Sequence, residues 1–246
     1  LGFACAKALV QEGANVAICS RNEAHVETAI AELKQLRGEG LLLGSVADNA
    51  NPAELAFFVT QAEKHFGAID VLVWNSGGPS GGGAAELSAD QFEDAFEAGV
   101  SPAIAATQLV LPQMRQHKWG RIIYITTSGV AQPIPGLALS NTTRSALTSY
   151  AKTLAAEVAA DGVLVNTVMP GRFATERHHE VITMQAEKTG TTVAQQEQIA
   201  LGKIPCGRYG DPDEFGGVVA FLASEKASYT TGGNLAVDGG AILGMR

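Results

Sequence analysis

The sequence has few cysteines, no long apolar run and no excess of positive charge, and each absence excludes a class of protein. Cys5, Cys19 and Cys206 are the three cysteines among 246 residues. Their odd number and their spacing fit neither a disulfide framework nor a zinc site, so we expect reduced thiols, no metal and a cytoplasmic protein. The apolar runs are shorter than the ~18 residues of a membrane-spanning helix. The net charge of −8 argues against nucleic acid or an anionic membrane as a partner.

The composition is that of a folded globular chain, with 46% hydrophobic and 17% charged residues. A chain of 246 residues can bury one sizeable α/β core and is short for two. No linker-like segment interrupts it. We therefore expect a single domain over residues 1–246.

Strand-like and helix-like patterns alternate along the chain. Short apolar runs predict strands at 15–20, 41–46, 70–78, 121–128, 163–171 and 234–240, and amphipathic segments predict helices at 3–13, 22–36, 52–67, 88–116, 138–161 and 212–224. Gly99 and Pro102 interrupt the 88–116 helix, so a division into two helices stays open. The alternation predicts an α/β fold, a Rossmann-type doubly wound parallel sheet in three layers.

Small or polar residues follow four of the predicted strands. They are Ser20-Arg21, Asn75-Ser76-Gly77-Gly78, Thr126-Thr127-Ser128 and Pro170-Gly171. In open parallel sheets, ligands bind beyond the carboxyl ends of the strands. These four stretches therefore predict one binding cleft.

The start of the chain has the spacing of a dinucleotide site. Gly2 opens a helix, and Ser20-Arg21 follows at the end of the next strand. An acidic residue at that place would bind the ribose of NAD, whereas an arginine suits the 2′-phosphate of NADP. The sequence favours NADP(H), and NAD stays an alternative.

Several segments together resemble the short-chain dehydrogenase/reductase (SDR) family along the whole chain. The segments include VLVWNSGGP, GRIIYITTS, VNTVMPGRFATER and GRYGDPDEFGGVVAFLASEKASYTTGGNLAVDGG, the last of which is similar to 3-oxoacyl-carrier-protein reductases. The resemblance implies a nucleotide site formed by Gly2, Ser20, Arg21, Asn75, Gly77, Arg144, Pro170, Gly171 and Thr175. It also implies a small carbonyl or alcohol substrate, a substrate loop at about 172–204, and a homo-oligomer, dimer or tetramer, formed through the long helices and the last strand.

The resemblance also exposes an absence at the start of the chain. Family members begin with a strand and a glycine-rich turn, of which only Leu1-Gly2 is present. That strand lies in the middle of the family's sheet, so we expect this chain to be a fragment with its first strand missing. Its loss predicts a gap between the strands at 15–20 and 70–75, with unpaired strand edges on both sides.

The usual catalytic residues are replaced. Family members carry a serine, then a tyrosine thirteen residues later, a lysine four residues after that, and an asparagine in an earlier helix. The matching positions here are Thr127, Ser140, Arg144 and Gly99. Ser45 likewise stands where an acidic residue is often found near the adenine.

Neither nearby tyrosine can substitute for the missing phenol. Tyr150 lies ten residues after Ser140, which places it roughly 80° around the helix and about 15 Å further along the axis. Its neighbour Lys152 is on a different face, so this pair is interpreted as ordinary helix chemistry. Tyr124 is three residues from Thr127 on a strand and therefore points to the opposite face.

The substitutes allow only part of the usual chemistry. Thr127 can donate a hydrogen bond to a substrate oxygen, and Arg144 can hold ribose hydroxyls or stabilise a developing alkoxide, but a permanently charged guanidinium cannot shuttle a proton. Ser140 is a poor acid without a strong base beside it. His178, in the substrate loop, is the candidate proton donor because imidazole titrates near neutrality.

Three functions remain open. The first is an NADP(H)-dependent oxidoreductase of a carbonyl or alcohol substrate, with 3-oxoacyl compounds as one class. The second is a catalytically inactive dinucleotide-binding homologue with a regulatory or structural role, and the third is a non-redox enzyme. The residues at three of the replaced catalytic positions, Thr127, Ser140 and Arg144, are polar and chemically compatible with one another. This favours an active site that has been adapted, and therefore the oxidoreductase.

Overall fold

The computed structural model describes residues 1–36 and 42–244, and within these ranges strands and helices alternate. The strands are β1 (Val16–Ser20), β2 (Leu42–Val46), β3 (Val71–Trp74), β4 (Gly120–Ile125), β5 (Val163–Pro170) and β6 (Asn234–Val237). The helices are α1 (Gly2–Gln11), α2 (Glu23–Leu36), α3 (Pro52–Phe66), α4 (Ala89–Gly99), α5 (Ser101–His117), α6 (Ala138–Val158), α7 (Glu176–Thr189), α8 (Val193–Leu201) and α9 (Pro212–Ala223).

All of the strand pairs are parallel, which confirms the predicted α/β architecture. β1 pairs with β2, and a second group has the order β3-β4-β5-β6. In the described residues no ladder joins β1 to β3, and a cavity of about 1100 Å³ lined by both strands lies between them. The predicted gap between these two strands is therefore present.

β4 separates the two hydrophobic cores of a three-layer structure. Ile122 and Tyr124 face a core shared with α3, α5 and α6. Ile123 and Ile125 face the other core, which α9 and α1 cover. Since successive side chains of a strand point to opposite faces, one apolar run serves both layers. Every residue of β4 is buried, as expected of a central strand between helical layers.

Most element boundaries lie close to the sequence prediction. The 88–116 pattern is two helices, and Ser88 caps the first through a capping box with Gln91. The last strand ends at Val237 and not at 240, because Gly239 and Gly240 have positive φ angles of 64° and 84°. The predicted strand start at residue 41 lies outside the described residues.

The segment predicted as the substrate loop, 172–204, contains two helices. A capping box of Thr192 and Gln195 begins α8 in its second half. Its first half also forms a helix, α7, whose N-cap is Thr175. Across the described residues, no helix is both long and apolar enough to pass through a lipid bilayer.

Candidate active site

A cleft of about 420 Å³ opens at the carboxyl ends of β1 and β3. The predicted residues that line it are Ser20, Arg21, Asn75, Gly77, Gly99 and Arg144. These positions come from four different elements and lie up to 124 residues apart in the chain, counting from Ser20 to Arg144. The structure thus brings Ser20 and Arg21, predicted for the adenosine end, into one cleft with Gly99 and Arg144 of the predicted catalytic positions.

The first turn of α1 lies against the end of β3. A Cβ atom on Gly2 would lie 2.7 Å from Asn75 Nδ2, so a larger residue would displace this side chain. Leu1, the N-cap, supplies no side-chain cap, and the first turn contains no acidic residue. The free N–H groups and the positive end of the helix dipole therefore suit a phosphate. Glycine at position 2 therefore leaves a cradle between this helix end and Asn75.

Arg144 extends from α6 to the turn after β3. Its Nη1 donates to Ser76 Oγ at 3.0 Å, and its Nη2 donates to the carbonyl oxygens of Ser76 and Gly77 at 3.1 and 2.9 Å. The side chain is only 5% exposed. Burial lowers the pKa of the guanidinium, which nevertheless stays charged because its ordinary value is far above neutrality.

Gly99 leaves open space at the position where the family has asparagine. A Cβ atom built there meets no atom within 4 Å. Gly99 lies at the end of α4 and lines the same cleft as Arg144. The cleft therefore has room for a larger side chain at this point.

Thr127 and Ser140 lie on two neighbouring segments beyond β4. Thr127 is the N-cap of a short 3₁₀ turn, Ser128–Val130, and its Oγ1 accepts from Gly129 N at 3.3 Å. Accepting this bond leaves the hydroxyl hydrogen free to donate. Ser140 is half-buried in the first turn of α6, one helical turn before Arg144. Neither Thr127 nor Ser140 is among the residues that line the 420 Å³ cleft.

The structure describes all four tyrosines, and none of them lines this cleft. Tyr124 Oη bonds Thr107 Oγ1 at 2.6 Å inside the core, where burial raises the pKa of the phenol. The Tyr150 ring packs against Tyr124 with centroids 6.3 Å apart. Tyr229 is fully exposed, and Tyr209 contacts His178. Lys152 donates to Gly232 O at 2.8 Å, away from the cleft, so the interpretation of Tyr150 and Lys152 as ordinary helix residues agrees with their contacts.

Pro170, Gly171 and Thr175 lie at and after the end of β5, and they are not among the residues that line the 420 Å³ cleft. Gly171 N donates to Val237 O at 2.8 Å, and a Cβ atom on Gly171 would lie 2.5 Å from Asp238 Cα. Only glycine permits this approach of two backbones. The Thr175 hydroxyl already accepts from His178 N at 3.3 Å as the cap of α7, so its first role in this structure is to begin that helix.

His178 packs into the substrate loop and is not among the residues that line the cleft. Its ring contacts the Tyr209 ring at 4.3 Å between centroids. Burial and then the charge of Arg172 lower the pKa of the imidazole. The Nε2 atom and the Tyr209 hydroxyl are both buried without a partner in the described residues. A neutral imidazole of this kind is a weak candidate for a proton donor.

Two contacts were missed by the sequence reasoning. Ser76, which the sequence placed in the cleft, accepts a hydrogen bond from Arg144, and the sequence did not predict this contact. Asn141 pairs with the backbone of Ile134, accepting from its N–H at 3.3 Å and donating to its carbonyl at 2.9 Å. This pairing holds the segment after Thr127 against α6, and nothing in the local sequence indicated it.

The parallel fold, the cradle at Gly2 and the polar cleft together define a nucleotide-binding α/β protein. The family model described as Enoyl-(Acyl carrier protein) reductase matches residues 1–241. Dehydrogenase/reductase SDR family member 4 of Caenorhabditis elegans is 33% identical over 243 residues, covering 98% of this chain and 90% of that protein. The chain belongs to the short-chain dehydrogenase/reductase family.

Two solved structures extend the similarity to three dimensions. YwfH, an NADPH dependent reductase involved in bacilysin biosynthesis, has a TM-score of 0.94 and 26% identity, covering 99% of this chain and 94% of that one. The second is a short-chain oxidoreductase from Pseudomonas aeruginosa PAO1 with NADPH bound, described as containing an atypical catalytic center. It has a TM-score of 0.86 and 27% identity, covering 100% of this chain and 93% of that one.

Proposed function

We propose that this protein is an NADP(H)-dependent oxidoreductase of the SDR type that interconverts a carbonyl compound and its alcohol. The observation that carries the proposal is the cleft in which Ser20-Arg21, Asn75 and Arg144 meet at the carboxyl ends of the strands. When bound, the nicotinamide supplies or accepts the hydride. Two structural relatives, an NADPH dependent reductase and an oxidoreductase with NADPH bound, support the choice of cofactor.

The residues present suit a phosphorylated dinucleotide. Arg21 would hold the 2′-phosphate, since a guanidinium offers bidentate bonds to phosphate. The N-terminus of α1 at Gly2 would hold the pyrophosphate. Asn75, Gly77 and Gly171 would line the path between these groups and the reacting carbonyl.

The chain's own residues would orient and polarise the substrate. Thr127 has a hydroxyl hydrogen left to donate to the substrate oxygen. The charge of Arg144 stabilises negative charge that develops in the cleft. Ser140 can relay a hydrogen bond but is a poor acid. In this proposal, solvent water supplies the proton that a tyrosine supplies in other family members, and the 3-oxoacyl compounds are one substrate class to test.

A second candidate is a dinucleotide-binding protein without turnover. Two observations favour it. None of the four tyrosines lines the cleft, and Arg144 donates three hydrogen bonds to the turn at Ser76 and Gly77. Such an arrangement stabilises a nucleotide pocket without a proton donor. The relative with an atypical catalytic center favours the first candidate, since that protein is an oxidoreductase.

One titration followed by one assay separates these candidates. Nicotinamide fluorescence is measured in separate titrations with NADPH and with NADH. We expect NADPH to bind at least about tenfold more tightly, because its 2′-phosphate makes a charge-assisted contact that NADH lacks. A panel of ketones, 3-oxoacyl thioesters and small oxo acids is then tested for NADPH oxidation. Binding without turnover across the panel supports the second candidate, and failure to bind either nucleotide contradicts both.

The proposal includes a cytoplasmic homo-oligomer, dimer or tetramer. Exposed apolar side chains on two of the expected elements support the oligomer: Phe96 and Leu109 on the helices of 88–116, and Leu235 on the last strand, β6. Sedimentation velocity of the purified protein tests this point, and a monomer over the micromolar range contradicts it.

A further inference from the structure

Arg144 is a buried cation that has no anionic partner among the described residues. All three of its hydrogen bonds end on neutral oxygens, those of Ser76 and Gly77. Asp48 lines the same cleft, but its carboxylate accepts from Ala50 N, and no ion pair joins it to Arg144. Buried charges in proteins are normally paired. An occupant of the cleft is therefore the remaining source of a negative charge.

The surroundings of Arg144 do not offset its charge in other ways. The residue lies in the amino-terminal half of α6, whose first turn contains no acidic residue. The positive end of the helix dipole is at that side, so the dipole gives no compensation. Three of the five guanidinium hydrogens are used, which leaves the Nε hydrogen and one on Nη1 for an occupant.

The anionic groups of the proposed cofactor already have partners. The pyrophosphate suits the N-terminus of α1 at Gly2, and the 2′-phosphate suits Arg21. The nicotinamide ribose brings only neutral hydroxyls. These assignments rest on the proposed function. They leave the substrate as the partner for the charge of Arg144.

We propose that Arg144 binds a carboxylate of the substrate, so that the protein reduces free oxo acids or oxidises the corresponding hydroxy acids. A guanidinium and a carboxylate match in geometry and form charge-assisted hydrogen bonds. In the reduction, the carbonyl carbon gains a hydride from NADPH, its oxygen gains a proton from solvent, and the carboxylate is unchanged. Thioesters lack the free carboxylate at that position, so the proposal disfavours carrier-bound acyl substrates.

The first test compares acids with their neutral esters. The protein is saturated with NADP⁺, with which a ketone cannot react, and calorimetry measures binding of 3-oxobutanoate and 4-oxopentanoate and of the methyl ester of each. The expected result is an acid that binds about tenfold to a hundredfold more tightly than its ester in at least one pair. Esters that bind as well as the acids in both pairs overturn the proposal. The NADP⁺ titration itself reports separately on the proposed function.

The second test assigns the preference to Arg144. R144Q removes the charge, R144K keeps a positive charge, and K152Q removes a cation from the same helix outside the cleft. The acid-to-ester ratio should fall to about one in R144Q, be retained in part in R144K, and stay unchanged in K152Q. An unchanged ratio in R144Q overturns the proposal. If circular dichroism shows that R144Q is unfolded, the proposal is judged on the acid-to-ester ratio of the wild type and on whether R144K retains part of it.

Discussion

Arg144 and Ser76, which are 68 residues apart in the chain, form one structural unit. The guanidinium bonds both the side chain and the backbone carbonyl of Ser76, so it ties α6 to the turn that follows β3. The replacement at the family's lysine position is thus in direct contact with the turn that follows β3. An arginine needs more acceptors than a lysine because its five hydrogens lie in a fixed plane, and Ser76 supplies one of them.

Removing the Ser76 hydroxyl should weaken this unit. S76A takes one acceptor from a buried charged donor, a bond that is worth about 1.5–3 kcal/mol. We expect a loss of that size in the free energy of unfolding, measured by urea denaturation. S80A, at an exposed serine four residues further on, is the matched control and should change little. In an R144Q background S76A should cost much less, and an equal cost in both backgrounds would show that the two residues do not act together.

Replacing Arg21 should change the choice of nucleotide. R21A removes the arginine that lines the cleft beside Ser20 and that we propose for the 2′-phosphate. The Kd for NADPH should rise about tenfold to a hundredfold, while the Kd for NADH changes less than threefold, since each charge-assisted contact to phosphate is worth about 1.5–3 kcal/mol. R115A removes an arginine paired with Asp161, outside the residues of the cleft, and serves as the control. Equal losses for NADPH and NADH in R21A contradict the assignment.

The fold could be predicted from the sequence because its signals are local. Strand runs such as the one predicted at 121–128 depend on neighbouring residues alone, and the structure has this strand at Gly120–Ile125. The cleft was predictable in part, because parallel strands bring their carboxyl ends to the same edge. The contacts of Arg144 with Ser76, and of Asn141 with Ile134, depend on side-chain reach across elements. No periodicity in the sequence encodes that reach.

The hydroxyl of Thr127 should be necessary for turnover and not for nucleotide binding. T127V keeps the shape of the side chain but removes the donor to the substrate oxygen, a loss that for an oxyanion donor is worth about 10²–10³ in kcat. T127S keeps the hydroxyl and should retain activity within about tenfold. The measurement is kcat/KM with the best substrate of the panel, beside the Kd for NADPH. A T127V protein with normal kcat would exclude Thr127 from the reaction.

Protonation of His178 should destabilise the fold at mildly acidic pH. Burial and then the charge of Arg172 lower the pKa of this imidazole in the folded state below its ordinary 6.5, with His179 lowering it further and Glu197 raising it. The unfolded chain therefore binds the proton more readily, so this contribution to stability is present above about pH 6.5 and is lost as the pH falls through the folded-state pKa.

H178F keeps an aromatic ring against Tyr209 and cannot titrate. Its free energy of unfolding should depend less on pH between about 7 and 5 than that of the wild type, because the shifted imidazole is gone. H179Q, at the exposed neighbour, is the control. A steady-state assay of H178F also tests the candidate proton donor: we expect unchanged kcat, since the ring packs on Tyr209 and is not among the residues that line the cleft. A large fall in kcat would restore His178 as the acid.

Returning the family residues to the site should raise the turnover of this protein. Ser140 and Arg144 lie one helical turn apart on α6, so S140Y with R144K places a phenol beside an ammonium group, whose charge lowers the phenol pKa toward neutrality. G99N completes the set, and the open space at Gly99 accommodates it. Since a positioned general acid contributes about 10²–10⁴ in rate, the triple variant should reduce a neutral ketone faster than the wild type by a factor in that range, with a pH profile that shows a new ionisation. The same variant should keep only part of the proposed preference for carboxylates, because R144K retains the positive charge but not the geometry of the guanidinium. If NADPH still binds and turnover does not increase, the substituted residues are not what limits the reaction.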